Sequence, residues 1–295
     1  LLAVCAALMG IIPNYSRVWD ESYAIAERVY SIGITNTTDC AARVFFTLLV
    51  WFYLRGEKLT AAEYALTPVL GFIIYYFTGG RIDSGCVIIM TALFLGVNLA
   101  QRFPMQERHR ARGKKALQRI ALLSMPLLAA LALYLVISYK PGNFRDLIDD
   151  WASHRFSIGH RIFNEYGVRL FGQPIQMYGN GRGGFNNAVD GIYYSFIDIS
   201  YQSVLMLYGA VFFAVILVLY LYLTYRKRED RYLMLSVILI AFNCFFAHHL
   251  TEIAYIPFVL LTLEGTIKRM PNGFNNIRRK RFAPPDDNLM NGGFS

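Results

Sequence analysis

Long apolar runs recur along most of the chain, and they constrain its fold more than any other feature. The 295 residues are 55% hydrophobic and only 17% charged, and the mean hydropathy is +0.36. Runs of this kind allow a chain to cross a bilayer several times. Because backbone amides in lipid must be bonded within their own segment, and because the runs do not alternate, they predict helices and not barrel strands.

The apolar runs predict an all-α fold, a polytopic transmembrane bundle of eight helices. The expected helices are 1–13, 41–54, 60–78, 85–100, 117–138, 203–225, 231–247 and 251–266. The chain thus divides into five helices within 1–138, a polar loop at 139–202, three helices within 203–266 and a basic tail at 267–295. We expect the tail to be disordered and cytoplasmic. Since residue 1 is a Leu inside an apolar run, we also expect the chain to be truncated within a span, with earlier helices missing.

Lysine and arginine are distributed unevenly among the connections between these helices. If 55–59, 101–116, 226–231 and the tail share one side, that side, with Arg119, holds 19 of the 29 basic residues. The positive-inside rule makes this side cytoplasmic and places the loop at 139–202 outside. The net charge of +9 then reflects topology and does not indicate a nucleic-acid partner.

The loop at 139–202 is rich in arginine and aspartate. Apolar positions near helical spacing between Phe144 and Phe171 predict that part of it lies as an amphipathic helix on the membrane surface. Arg155 and Arg161 would then lie at headgroup level, where a guanidinium suits a phosphate.

A structural interpretation of the same arginines is equally open at this point. Arg161, Glu165 and Arg169 are spaced i, i+4, i+8, which is also how a solvated helix face pairs its charges. Asp198, just before the helix expected from about residue 203, has two interpretations as well. It would either cap that helix or serve as a carboxylate that accepts a proton from a sugar hydroxyl.

A polar corner at His248, His249 and Glu252 separates two apolar runs so closely that its side chains should lie near bilayer depth. Ionisable groups there are costly unless they face protein or water, which favours a functional role. The sequence places no third histidine nearby, Cys244 belongs to the preceding apolar run, and the four cysteines of the chain form no paired motif. We therefore expect no metal site, no disulfide framework and no cofactor.

The segment from Arg161 to Gly172, which ends in Leu170-Phe171-Gly172, resembles the large loop of bacterial polysaccharide repeat-unit polymerases of the Wzy type, relatives of the O-antigen ligases. That loop typically has an arginine, ten residues and a glycine closing a Leu-Phe-Gly phrase. A short polar phrase and a helix opening with Leu and Tyr-Gly follow in the family, as they do between Asp198 and Gly209. Many members carry His-Asn where this chain has Asp198 and Ile199.

The resemblance implies a GT-C-like, metal-independent glycosyltransferase at the outer face of the cytoplasmic membrane. It would polymerise undecaprenyl-diphosphate-linked repeat units into capsular, exo- or O-antigen polysaccharide. The expected partners are that lipid-linked glycan, membrane lipid, and chain-length regulator and flippase proteins.

The resemblance also implies roles for individual residues. Arg161 and Arg155 would bind the diphosphate, with Gly172 and Tyr201 in the same substrate-binding set. Asp198 is the first candidate for the general base, ahead of His248, His249 and Glu252, which would complete the acceptor site.

Three alternatives remain open from the sequence, one of which is a purely structural membrane subunit. An O-antigen-type ligase, which moves a glycan to a different acceptor, has similar loops. A polysaccharide transporter or flippase should have charges inside its helices and an internal repeat. The sequence has few charges in mid-span and no evident repeat.

Overall fold

The computed structural model describes residues 9–11, 16–17, 29–30, 37–103, 106–177 and 195–252. The described residues are mostly helical, as the hydropathy pattern predicts. The helices are α1 Thr37–Arg55, α2 Ala61–Thr78, α3 Arg81–Arg102, α4 Glu107–Ile137, α5 Asn143–Trp151, α6 Arg155–Tyr166, α7 Ser200–Ser203, α8 Gly209–Arg226 and α9 Arg231–Cys244. Short 3-10 turns lie at Gly56–Lys58 and His249–Thr251, and a π-helical turn at Val204–Tyr208 joins α7 to α8.

The fold of the described residues is all-α as predicted, and it includes one pair of two-residue β segments. Ser16–Arg17 (β1) pairs antiparallel with Val29–Tyr30 (β2). The expected helices at 1–13 and 251–266 and the tail at 267–295 lie almost wholly outside the described residues, as does the middle of the loop at 178–194.

Three helices of the described chain are long and apolar enough to cross a membrane by length and composition. They are Arg81–Arg102, Glu107–Ile137 and the continuous helical stretch Ser200–Arg226. At 1.5 Å per residue α4 is about 46 Å long, which exceeds the hydrocarbon thickness of about 30 Å. Its basic first third would therefore extend beyond the bilayer.

Local signals in the sequence explain where several helices begin and end. Thr60 and Glu63 form a capping box at the start of α2, and Gly79 ends that helix with a left-handed φ of 65°. Asp230 begins α9 by accepting hydrogen bonds from the amides of Tyr232 (3.1 Å) and Leu233 (3.0 Å).

Helix α9 forms the centre of the bundle, with most of its side chains buried against α4, α3 and α1. Large apolar side chains on the outer faces of α2, α4 and α8, such as Phe72, Leu127 and Val218, are exposed. Exposed apolar surface of this extent suits contact with hydrocarbon.

The two ends of the bundle are joined by different polar contacts. At one end, which we call the basic end, Arg231 pairs with Glu57 at 3.1 Å and Lys114 pairs with Glu229. At the other, which we call the loop end, α3, α6, the start of α7 and residues 245–252 meet. The connections at 55–59, 101–116 and 226–231, all predicted to be cytoplasmic, thus share the basic end. Which end faces the cytoplasm stays a prediction.

Candidate functional site at the loop end

An arginine and an aspartate from different segments meet at the loop end. Arg155 is the first residue of α6, and Asp198 lies two residues before α7. The Arg155 Nε atom lies 3.8 Å from Asp198 Oδ2, and each side chain is 16% exposed. Arg155 Nη1 also donates to the carbonyl of Phe246, beyond the end of α9. One guanidinium therefore joins three segments that are distant in sequence.

Asp149, which the sequence analysis did not single out, positions Arg155. Its side chain is 2% exposed, and Oδ1 accepts hydrogen bonds from the amides of Phe156 (2.8 Å) and Ser157 (3.2 Å). These amides are orphan donors in the first turn of α6. Asp149 therefore caps α6 from the preceding helix, across a turn in which Ser153 and His154 have left-handed φ angles of 58° and 60°.

The turn at Ser153 and His154 corrects the predicted single amphipathic segment. The loop contains two helices, α5 and α6, separated by this break. In α5 the buried charged residue is Asp149, while Leu147 and Trp151 are exposed. Leu147 and Trp151 are thus on the outside, where a membrane surface would contact them.

The polar corner after α9 lies against the start of α7. Ser200 connects the two, because its Oγ donates to the carbonyl of Ala247 and accepts from the amide of Leu250 at 3.1 Å. The amide of Ser200 also donates to Ala247 at 3.2 Å. Ser200 is another residue that the sequence analysis missed, because a single serine in an apolar context gives no distinctive signal.

Both histidines of the corner approach one carboxylate. Glu252 Oε1 lies 3.6 Å from His248 Nε2 and 3.7 Å from His249 Nδ1, and the ring centroids of the histidines are 4.4 Å apart. Adjacent histidines would diverge on a helix, but this segment is a 3-10 turn that follows the end of α9. The three predicted corner residues therefore do form one cluster.

His248 is neutral at pH 7 in this environment. Burial, followed by the nearby charge of His249, lowers the pKa of His248 to about 4. A neutral imidazole has a lone pair that can accept a proton or bind a cation.

Two aspartates from distant helices complete the polar cluster. Asp39, in the first turn of α1, lies close enough to His248 and His249 that one potential ligand atom from each falls within 4.8 Å of the others. Asp83, in the first turn of α3, is 5% exposed and accepts a 2.8 Å hydrogen bond from Asn243 Nδ2. The sequence analysis missed both, since each precedes or begins an apolar run far from the corner in sequence.

Arg161 lies on a different side of α6 from Arg155. Six residues of α-helix rotate a side chain to a position about 120° away, and Arg161 is exposed. The predicted charge ladder through Arg169 is wrong, because α6 ends at Tyr166 and Gly167 has a φ of 64°. The predicted diphosphate contact of Arg161 stays a prediction.

The helix-cap interpretation of Asp198 is also wrong. Ile199 occupies the N-cap position of α7 and makes no side-chain capping bond. Asp198 instead pairs with Arg155, which leaves the interpretation as a reactive carboxylate open.

Tyr201 and Gly172 have packing roles that differ from the predicted contact with substrate. Tyr201 is fully buried, and its hydroxyl donates to the carbonyl of Ala241 at 2.8 Å, so it cannot reach a glycan unless the core opens. A Cβ at Gly172 would lie 2.2 Å from the carbonyl oxygen of Leu207, so this glycine allows close backbone contact. We assign both residues to the framework of the site.

Comparison of the chain with protein-family models, with curated proteins and with solved structures finds no match. The functional assignment therefore depends on the residues of the site and on the resemblance of the loop.

Proposed function

We propose that the protein polymerises undecaprenyl-diphosphate-linked oligosaccharide repeat units at the outer face of the cytoplasmic membrane. The observation that carries this proposal is the Arg155–Asp198 pair, largely buried and 3.8 Å apart beside the His248 corner. This pair combines a group that can bind a diphosphate with a group that can accept a proton. Such a combination is what transfer of a glycan from a diphosphate carrier to a hydroxyl requires.

Arg155 would stabilise the leaving diphosphate. The bond between sugar and diphosphate breaks with charge accumulating on the phosphate oxygens, and a fixed guanidinium favours that charge. Asp149 and the Phe246 carbonyl hold Arg155 in position before substrate arrives. Little reorganisation would then be needed during the reaction.

Asp198 would accept the proton of the attacking sugar hydroxyl. In the protein alone its carboxylate is balanced by Arg155, which weakens it as a base. An arriving diphosphate would compete for the same guanidinium and leave Asp198 to the acceptor hydroxyl. Donor binding would thus activate the base, and the His248 corner would lie beside the acceptor.

Arg161 would contribute from the exposed side of α6, where a diphosphate held at headgroup level would be reached from the membrane surface. The partners follow from this chemistry and from the resemblance of the loop. They are the lipid-linked glycan, membrane lipid, and the chain-length regulator and flippase proteins of the same process.

The proposal is tested by deleting the gene and sizing the surface glycan. We expect single repeat units in place of long chains, restored by the wild-type gene and by Asp150→Asn, since the Asp150 side chain is largely exposed. Asp198→Asn should express normally and leave single units, because an amide cannot take the proton. Full-length polymer from the deletion strain would refute the proposal, and normal polymer that fails to reach its final acceptor would indicate a ligase.

A further inference from the structure

Three side chains with metal-binding atoms converge at the loop end, apart from the Arg155–Asp198 pair. Asp39 comes from α1, and His248 and His249 come from the corner after α9. One ligand atom from each lies within 4.8 Å of the other two. Among the described residues, this is the one group of three or more His, Cys, Asp or Glu side chains whose ligand atoms lie so close together.

Glu252 supplies a fourth potential ligand next to this group. Its Oε1 lies 3.6 Å from His248 Nε2 and 3.7 Å from His249 Nδ1. Bonds of about 2.0–2.1 Å around a tetrahedral zinc ion place neighbouring ligand atoms about 3.4 Å apart. The two measured separations are already close to that value. Glu252 is not part of the group whose ligand atoms all lie within 4.8 Å of one another, so its side chain would move toward Asp39 to complete the site.

One carboxylate oxygen of Asp39 is buried without a hydrogen bond from any described residue. Asp39 Oδ1 is inaccessible to solvent and, within the described residues, accepts no hydrogen bond. A buried carboxylate oxygen left in this state is unfavourable, because it has lost water and gained no donor. A bound cation would satisfy it.

The charges around the group also favour a cation. Asp39, Asp83 and Glu252 all interact electrostatically with His249, and either Arg43 or Arg155 also acts on each of them. Three carboxyl groups from three segments are therefore concentrated beside the two histidines. Such a concentration of carboxylates attracts a divalent cation.

We propose that Asp39, His248, His249 and Glu252 bind one divalent transition-metal ion of the zinc type. Two imidazoles with two carboxylates suit such an ion, whereas Ca²⁺ and Mg²⁺ prefer oxygen ligands alone. With Glu252 as the fourth protein ligand the site would be closed, as structural zinc sites are. The ion would hold the start of α1 to the corner after α9.

This site goes beyond the proposed polymerase reaction and takes no part in its chemistry. Arg155 and Asp198 are not among the ligands. Metal binding can therefore be measured on the purified protein whether or not the polymerase assignment is correct.

The test is metal content measured by inductively coupled plasma mass spectrometry. The full chain is purified in detergent with its affinity tag removed, stripped with a chelator, equilibrated with ZnCl₂ and desalted. We expect one zinc ion per chain in the wild type and loss of that ion in Asp39→Asn and His249→Gln. His160→Gln and Asp150→Asn are matched controls and should keep the ion, since His160 bonds to Val136 and Asn164 away from the cluster.

A second measurement uses the wild type alone, in case a variant fails to fold. Co²⁺ added to the stripped protein should give the visible absorption of a tetrahedral site, and Zn²⁺ should displace it and raise the melting temperature. A wild type that retains no zinc and gives no such Co²⁺ spectrum would overturn the proposal. So would folded Asp39→Asn and His249→Gln variants that keep the full zinc content.

Discussion

Gly172 and Gly209 meet backbone to backbone, so closely that a Cβ on Gly209 would lie 2.3 Å from the amide nitrogen of Gly172. Both have left-handed φ angles, +82° and +94°. The amide of Gln173 donates to Leu207 at 3.2 Å, and the amide of Val211 donates to Leu170 at 3.1 Å. These bonds join the loop after α6 to the start of α8.

This contact gives a structural reason for the two phrases that carry the family resemblance. Leu170-Phe171-Gly172 and Leu207-Tyr208-Gly209 lie 37 residues apart but pack on each other. The π-helical turn Val204–Tyr208 ends at this point, and its Leu207 carbonyl accepts the bond from Gln173. Such turns occur frequently at functional sites.

Gly209→Ala should therefore destabilise the protein by about 3 kcal/mol or more, because the new methyl meets backbone atoms that cannot move aside. Thermal unfolding in detergent measures the effect. Gly113→Ala is the control. No atom lies within 4 Å of its added Cβ, and it is in a helix, so it should raise stability by up to about 1 kcal/mol. Equal melting temperatures for Gly209→Ala and wild type would show that the close contact does not exist.

Asp149→Ala should lower the free energy of unfolding by about 1–2 kcal/mol, because it removes the acceptor for two first-turn amides of α6. Asp149→Asn should recover much of this loss, because its side-chain oxygen can still accept. Asp150→Ala, one residue further on and largely exposed, should change little. If Asp149→Ala unfolds at the same temperature as Asp150→Ala, the capping role is wrong.

Substitutions at Arg155 and Arg161 should both slow polymerisation. Only substitution of Arg155 should also lower the stability of the protein. Replacing either with Lys should lower the rate by roughly 10²–10³, because an ammonium cannot reproduce a two-pronged contact to diphosphate. Arg155→Ala should also destabilise the protein, since the Phe246 carbonyl and Asp198 lose a partner. Arg161→Ala changes an exposed position, so its free energy of unfolding should stay within about 0.5 kcal/mol of the wild-type value.

Glycan sizing and thermal unfolding of the same four variants separate these effects. Normal polymer length in Arg161→Lys would remove Arg161 from the site and leave Arg155 in place. Normal length in Arg155→Lys would count against the proposed mechanism itself.

The orientation of the bundle predicts which added cysteines react in intact cells. In a background without the four native cysteines, Asn180→Cys in the loop should be labelled by a membrane-impermeant thiol reagent. Gly113→Cys, near the basic start of α4, should be labelled only after the cells are opened. The opposite pattern would place the loop end in the cytoplasm and exclude it as a site for lipid-linked sugars outside.

The sequence by itself determined where the apolar helices of the described chain lie, while α4 begins at Glu107, ten residues before its predicted start. Hydropathy depends on each segment alone, so the expected runs at 60–78 and 231–247 correspond to α2 and α9. The Thr60 capping box is likewise a local pattern. His248, His249 and Glu252 form a cluster, as predicted, for the same reason. They lie within four positions of one another in the sequence.

Only the tertiary structure decided which distant residues complete the site. Asp39 and Asp83 reach the corner because α1 and α3 pack against α9, and nothing in their own neighbourhood indicates that partner. Tyr201 looks like a loop-end aromatic in the sequence but is buried against Ala241, because α7 continues into the bundle interior. Side-chain environments depend on how helices pack, and one hydropathy profile is compatible with many packings.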